Sequence, residues 1–447
     1  MSSSRRRPWT RRERGAAWAR SNFEDPLMAG ALHLMANTIA TAGLGIAFWA
    51  VAARIFPAAT VGRDLALINV LIALSAICQL NMNDTLIRFL PTVAPQRRAR
   101  TVAIAYGVSA VAALIGGAIF VLVAPEVSHE LKFLRTDDGL ALIFAGSTIV
   151  WGVFGLQDAA LTAMRRTSWV LAENATFSIA KIAMLPILFA IGVRHSVFTA
   201  WILAPLLLVP VINWLLFTRV LPPERNRVPA PAADTTAPPL GRRLIVRFLA
   251  LDYVAFFLRI GAFAAIPLIV LTRLGAARNA YFAIPFTLVA ALDLLFYNVT
   301  TALTVEGARD LARAGEFARL VIRRFLVLVA PMAALVVIAA PLLLLPYGTA
   351  YSHRGAGALR ILAVSLVPRA VIYLFEALTR LRARGAPILL TEAGIFTLAA
   401  VGAATLSGPL GVQGAALGWL GANTLVALAL APKLIGYLRK PRPAPSP

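Results

Sequence analysis

The chain has 447 residues, of which 59% are hydrophobic and only 14% charged, and its formal net charge is +23. Soluble domains average about 25% charged residues, so this composition excludes a protein whose whole surface faces water and points to lipid as a second solvent. In a soluble chain such a charge would suggest a nucleic-acid partner; here the basic residues stand in short clusters between apolar runs, and no nucleic acid is expected. The single cysteine, Cys78, excludes an internal disulfide and, inside an apolar run, reads as packing.

A basic tail, residues 1–27, opens the chain with Arg5, Arg6, Arg7, Arg11, Arg12, Arg14 and Arg20. The first apolar run, 28–51, lacks an early cleavage site and is read as a spanning helix rather than a signal peptide. A helix crosses the hydrocarbon core in about 20 mostly apolar residues. Runs of that length recur near 64–87, 101–124, 140–162, 169–192 and 197–217. A segment rich in proline, 221–243, then interrupts the pattern; Pro222, Pro223, Pro229, Pro231, Pro238 and Pro239 make it a flexible linker. Six further runs follow near 245–271, 280–303, 322–345, 357–379, 386–406 and 412–435, within a second half spanning 244–436, and a short tail, 437–447, closes the chain.

The fold class expected is therefore an all-α polytopic membrane protein of about twelve transmembrane helices in two six-helix lobes. Arginines crowd alternate connections, for example Arg97, Arg98 and Arg100, Arg165 and Arg166, and Arg380, Arg382 and Arg384. The intervening connections hold few, such as Arg63, Lys132 and Arg194. That alternation places both termini in the cytoplasm, in a bacterial inner membrane. Arg54 after the first run matches Arg273 after the seventh, and Glu173 matches Glu392 at the same offset, close to half the chain. This spacing favours duplication and a parallel pseudo-twofold repeat. There is no GxxxxGK phosphate loop and no room for a nucleotide-binding domain, and no cofactor or metal is expected.

Ionisable groups at membrane depth are costly and tend to face a bundle interior. Asp252 and Arg259 lie seven residues apart on one helix face, as do Arg369 and Glu376. Glu173 and Lys181 share the fifth run, Asp293 lies inside the eighth, and Asp84 and Arg88 are four apart near the end of the second. Arg88, Asp158, Glu173, Glu376 and Glu392 are close enough to a cytoplasmic end to neutralise one another or reach the interface. Arg259, Arg369 and Lys181 fall near mid-span. They are expected to line a hydrated cavity and hold an anionic headgroup, with Asp252 or Asp293 balancing charge or carrying a coupling cation. His33 is read as a packed polar residue, and Pro186, Pro205, Pro267, Pro285, Pro331 and Pro368 as kinks. Gly116, Gly117 and the glycines of 411–421 allow close helix packing.

From Phe48 through Ala53, Arg54 and Ile55 to Gly62, with Ala66-Leu67 and then Leu86-Ile87-Arg88-Phe89-Leu90-Pro91, the sequence resembles the opening of polysaccharide-export flippases. These belong to the multidrug/oligosaccharidyl-lipid/polysaccharide (MOP) exporter superfamily. The match covers Gly30 to Thr92, and it departs from the pattern at Asp64 and at Asn81-Met82-Asn83. The resemblance implies a V-shaped two-lobed fold and alternating access that carries polyprenyl-pyrophosphate-linked sugars to the outer leaflet. It makes Arg54, Gly62 and Arg88 the motif residues, with Arg54 and Arg88 as candidate substrate contacts. The expected partners are a lipid-linked sugar, membrane lipids, and polysaccharide-assembly glycosyltransferases and a polymerase. Two rival readings remain: a cation-coupled multidrug exporter of the same fold, and a membrane polymerase or glycosyltransferase using acids such as Glu130, Asp137 and Asp138 in the outer segment.

Overall fold

The computed structural model describes residues 26–136, 138–222, 242–309, 314–380 and 385–439. The tail up to residue 25, the proline-rich segment 223–241 and the residues from 440 onward lie outside the described residues, as does Asp137. Among the described residues every regular element is helical.

Helix α1 (Pro26–Ile55) ends ahead of Pro57, whose extended geometry (φ −57, ψ 145) turns the chain into α2 (Ala58–Cys78). Helix α2 ends where Leu80 (φ 48) and Asn81 (φ 62) turn left-handed, a conformation that asparagine tolerates well. A separate amphipathic helix, α3 (Met82–Phe89), follows. The second apolar run is thus two helices, because local backbone handedness at Asn81 overrides a hydropathy that continues through it. Then come α4 (Pro95–Val127), the one-turn α5 (Phe133–Thr136), α6 (Asp138–Ala163), α7 (Thr167–Ala190) and α8 (Ser196–Leu215).

The second half contains α9 (Arg242–Leu274), α10 (Ala276–Arg309), α11 (Ala314–Leu344), α12 (Thr349–Val364), α13 (Leu366–Arg380) and α14 (Gly385–Arg439). The tenth run is divided into α12 and α13 at Ser365, three residues before Pro368. Among the described residues eleven segments are long and apolar enough to cross a membrane, and one of them, Gly385–Gly436, has 52 residues. A straight helix of that length would far exceed a bilayer. It breaks at Gly411 (φ 58, ψ −139), and its two arms fold back on each other. A Cβ on Gly402 would lie 2.8 Å from Gly418 Cα, and one on Gly414 would lie 1.9 Å from the Leu406 carbonyl oxygen. The two arms of α14 are each long enough to span, which makes twelve candidate spans among the described residues.

The turns at 55–58, 127–133, 190–196, 274–276, 344–349 and around Gly411 lie at one end, termed upper; those at 79–95 and 163–167, with the helix ends at Arg380 and Gly385, lie at the other. The pairing of α1 with α7 recurs as α9 with α14, and that of α4 with α6 recurs as α11 with α12, which is the two-lobed repeat. One apolar core joins the lobes in the upper and middle layers, with Phe48, Leu67 and Phe198 from the first and Ile266, Phe282 and Trp419 from the second. Toward the lower end the lobes have separate cores. One is built around Leu86, Leu156, Leu161 and Leu216, the other around Phe375, Leu378, Leu430 and Leu434. The lobes share a core above and diverge below.

Candidate functional site

Arg369 occupies the first turn of α13, behind the break where Ser365 Oγ donates to the Leu362 carbonyl at 2.6 Å. It is 2% exposed. Its Nε donates to Asp293 Oδ1 of α10 at 2.5 Å, its Nη1 to Asn423 Oδ1 of α14 at 3.2 Å, and its Nη2 to the Tyr373 hydroxyl one turn on. Tyr373 in turn donates to Asp293 Oδ2 at 2.5 Å. The rings of Phe263, Tyr373 and Trp419 surround the guanidinium, with centroids 4.9 to 5.2 Å away. Every partner of this cation is fixed, and in a low-dielectric interior such a closed, satisfied pair holds helices together.

Arg259 on α9 is held more loosely. Its Nη1 lies 3.6 Å from Glu376 Oε2 and 3.7 Å from Glu392 Oε1, ionic contacts too long for hydrogen bonds. Its Nη2 donates to the Tyr297 hydroxyl at 3.4 Å, and its guanidinium rests 4.5 Å from the centre of that ring. Below it Arg380 bridges Asp252 Oδ1 and Glu376 Oε2, each at 3.3 Å. Arg259, Arg369 and Arg380 together face Asp252, Asp293, Glu376 and Glu392, so carboxylates exceed guanidiniums by one in this network.

The first lobe is organised differently. Lys181 on α7 is 3% exposed, and its ammonium lies 3.7 Å from the Trp201 ring centre, 4.3 Å from Phe177 and 5.1 Å from Phe48. No carboxylate pairs with it among the described residues; the aromatic quadrupoles are its counter-charge. Two turns away Glu173 is buried with both carboxylate oxygens unpartnered. Nearby Asp158 accepts one bond, from Asn174 Nδ2 at 2.9 Å. His33 lies 3.5 Å from the Thr167 hydroxyl.

At the upper end the lobes are clasped. Arg54 donates from Nε to the Pro346 carbonyl at 2.7 Å, reaching the last turn after α11. Gly62 lets α2 press on α10: a Cβ there would stand 1.9 Å from Ala276 O and 2.7 Å from Ala280 N, and Asn279 Nδ2 donates to the Gly62 carbonyl at 2.8 Å. At the lower end the Tyr253 hydroxyl donates to the Ile77 carbonyl at 2.5 Å. Asp84 faces Asp252 across the same gap; partial burial and that carboxylate hold Asp84 above the usual carboxylate range. Arg88 is exposed, with its guanidinium 5.3 Å from the Phe89 ring centre.

The structure thus brings Arg259, Arg369, Asp252 and Asp293 into one network and keeps Lys181, Arg54 and Arg88 apart from it. Arg369 is enclosed and paired instead of lining a wet cleft, because Asp293 neutralises it from the neighbouring helix. Glu173, Glu376 and Glu392, expected to neutralise one another or reach the interface, are all 2% exposed or less. Asp252 and Arg259 share a face yet bond to residues of other helices. Arg380, read as a loop cation, turns back into the network, and Tyr297, Tyr373 and Asn423 were not singled out. Tyr373 alone had a sequence signal, its place four residues after Arg369. At the upper end Glu130 is paired with Arg63 at 3.0 Å.

No protein-family model and no curated protein matches this chain. Solved structures do. An inward-facing multidrug-resistance MATE-family transporter of the MOP superfamily is 15% identical, covering 89% of this chain and 94% of its own, with a TM-score of 0.62. The lipid II flippase MurJ, in an inward closed conformation, is 13% identical over 92% of this chain and 88% of its own, with a TM-score of 0.64. A MOP-superfamily transporter from Pyrococcus furiosus, described by the reverse polarity of its binding pocket, is 16% identical over 93% and 97%, with a TM-score of 0.58. The chain has the fold that these proteins share.

Proposed function

We propose that this protein is a MOP-type transporter in which the two lobes rock about their shared upper core, and that its cargo is a lipid carrying a phosphate-linked glycan. The observation that carries the reading is the loose hold on Arg259. Its acids stand at 3.6 and 3.7 Å while Arg369 and Arg380 are hydrogen-bonded to theirs. A guanidinium with donors to spare can turn to a pyrophosphate, which it grips through two parallel hydrogen bonds. Transport of this kind involves no covalent step, and the polyprenyl tail stays in lipid while the headgroup passes between the lobes.

A specific observation favours a second reading. The four carboxyl groups of the second-lobe network offer oxygen ligands that suit a cation, either as coupling ion or as cargo, as in a cation-coupled multidrug exporter. Proteoliposomes separate the two. The lead reading expects translocation of a polyprenyl-pyrophosphate oligosaccharide that falls on Arg259→Gln. Efflux of a cationic dye that depends on Asp252, with no movement of the lipid, would replace it with the second.

A further inference from the structure

The first lobe holds a second polar space, away from the charge network and beside the upper seam between the lobes. At its upper end the start of α2, the turn before α5, and the α7–α8 corner flank an open cavity of about 940 Å³. Small-ligand sites span about 300–1,000 Å³, so this is room for a short oligosaccharide. We propose that this cavity binds an acidic saccharide, with Arg63 and Arg194 taking its carboxylate or phosphate and Phe133 and His195 supporting the sugar ring.

The base of the cavity is rigid. Asp64 is fully buried, and its Oδ2 accepts from the backbone N–H groups of Val197 and Phe198 at 3.1 and 3.2 Å, which caps α8. Its Oδ1 lies 2.8 Å from His195 Nδ1. That bond fixes the imidazole, which stacks on Phe133 with centroids 4.6 Å apart. Because the two rings stack face to face, a pyranose can pack only against the outer side or the edge of the pair. The Arg63 guanidinium lies 5.9 Å from the Phe133 centre and makes a single contact to Glu130, Nη2 to Oε2 at 3.0 Å. Its Nε is enclosed without a hydrogen-bond partner. One contact from a five-donor fork leaves it able to accept a second anion. Arg194 is exposed at the rim.

This chemistry selects. An organic cation would meet Arg63 and Arg194, and an apolar ligand would leave their donors unpaired. A neutral sugar would gain the ring contact but no charge-assisted bond. Glu130 also lies beside Gly275, 3.6 Å from where a Cβ would stand, so an anion that draws Arg63 away from Glu130 alters a contact next to the start of α10. The site is independent of the cargo reading, since its lining contains none of the residues of the second-lobe charge network.

The test is direct binding to the full chain in lipid nanodiscs, by calorimetry, with trigalacturonic acid, maltotriose and inorganic phosphate as probes. Trigalacturonate is expected to bind at least about tenfold tighter than maltotriose, the margin of one charge-assisted hydrogen bond, and tighter than phosphate. Arg63→Gln and Arg194→Gln are each expected to remove about that factor, and Phe133→Leu to weaken trigalacturonate but not phosphate. Arg194→Gln, at an exposed rim position, keeps the test valid should Arg63→Gln unfold. Equal binding of maltotriose, phosphate binding with no preference for the sugar, undiminished affinity in Arg194→Gln, or no trigalacturonate binding at millimolar concentration would each overturn the proposal. None of these results depends on whether lipid is translocated.

Discussion

Gly62→Ala tests the upper seam. The new methyl would sit 1.9 Å from the Ala276 carbonyl oxygen and 2.7 Å from Ala280 N, both backbone atoms of α10 that cannot swing aside. Restoring ordinary contact requires α2 and α10 to part by about 1–1.5 Å. The Asn279 bond to the Gly62 carbonyl, 2.8 Å in the buried seam, would then stretch past hydrogen-bonding range. Overpacking and a stranded buried amide together cost about 2–4 kcal/mol, a factor of roughly 30 to 700 against the closed upper end. Spin labels at exposed positions 132 and 278 in a background lacking Cys78 would read this as a longer upper-end distance by pulsed electron resonance. Transport should slow as the protein stalls with its upper end parted. An unchanged distance distribution with unchanged transport would refute the view that this contact closes the lobes.

Arg54→Ala removes donors to the Pro346 and Leu345 carbonyls and should widen the same distance, by less, at a cost of about 1 kcal/mol. Asp293→Asn leaves Arg369 buried beside a neutral amide; thermal unfolding in detergent should show a loss of about 3–5 kcal/mol, and pairing it with Arg369→Met should recover much of that. The raised Asp84 carboxyl binds its proton more tightly when the lower ends of the lobes are together. Lower-end closure should therefore strengthen as pH falls through the raised pKa toward the ordinary carboxylate value of about 4, and weaken as pH rises back through the raised pKa. Asp84→Asn should flatten that profile in lower-end distance measurements, with Arg380 still holding Asp252 at 3.3 Å.

The spans were legible because lipid demands long apolar helices, and the return at Gly411 was legible as a gap between two such runs. The breaks at Asn81 and Ser365 were not, since hydropathy continues through both and backbone conformation alone marks them. Residue types at depth were visible, but not their partners. Spacing on one helix suggested Asp252 with Arg259, whereas helix packing gives Asp252 to Arg380 and places Arg259 between Glu376 and Glu392. Asp64 stood out as a departure from the flippase pattern, and the structure supplies its reason: it caps α8 and fixes His195. Gly62 belonged to the pattern, and its close approach to Ala276 explains why a side chain has no room there.

The most direct measurement of the central claim is translocation of a polyprenyl-pyrophosphate oligosaccharide by proteoliposomes carrying wild-type, Arg259→Lys or Arg259→Gln protein of matched thermal stability. The account expects the wild type to be fastest, Arg259→Lys slower by about tenfold because an ammonium cannot grip pyrophosphate through two parallel bonds, and Arg259→Gln slower still. Equal rates in all three proteins would contradict it.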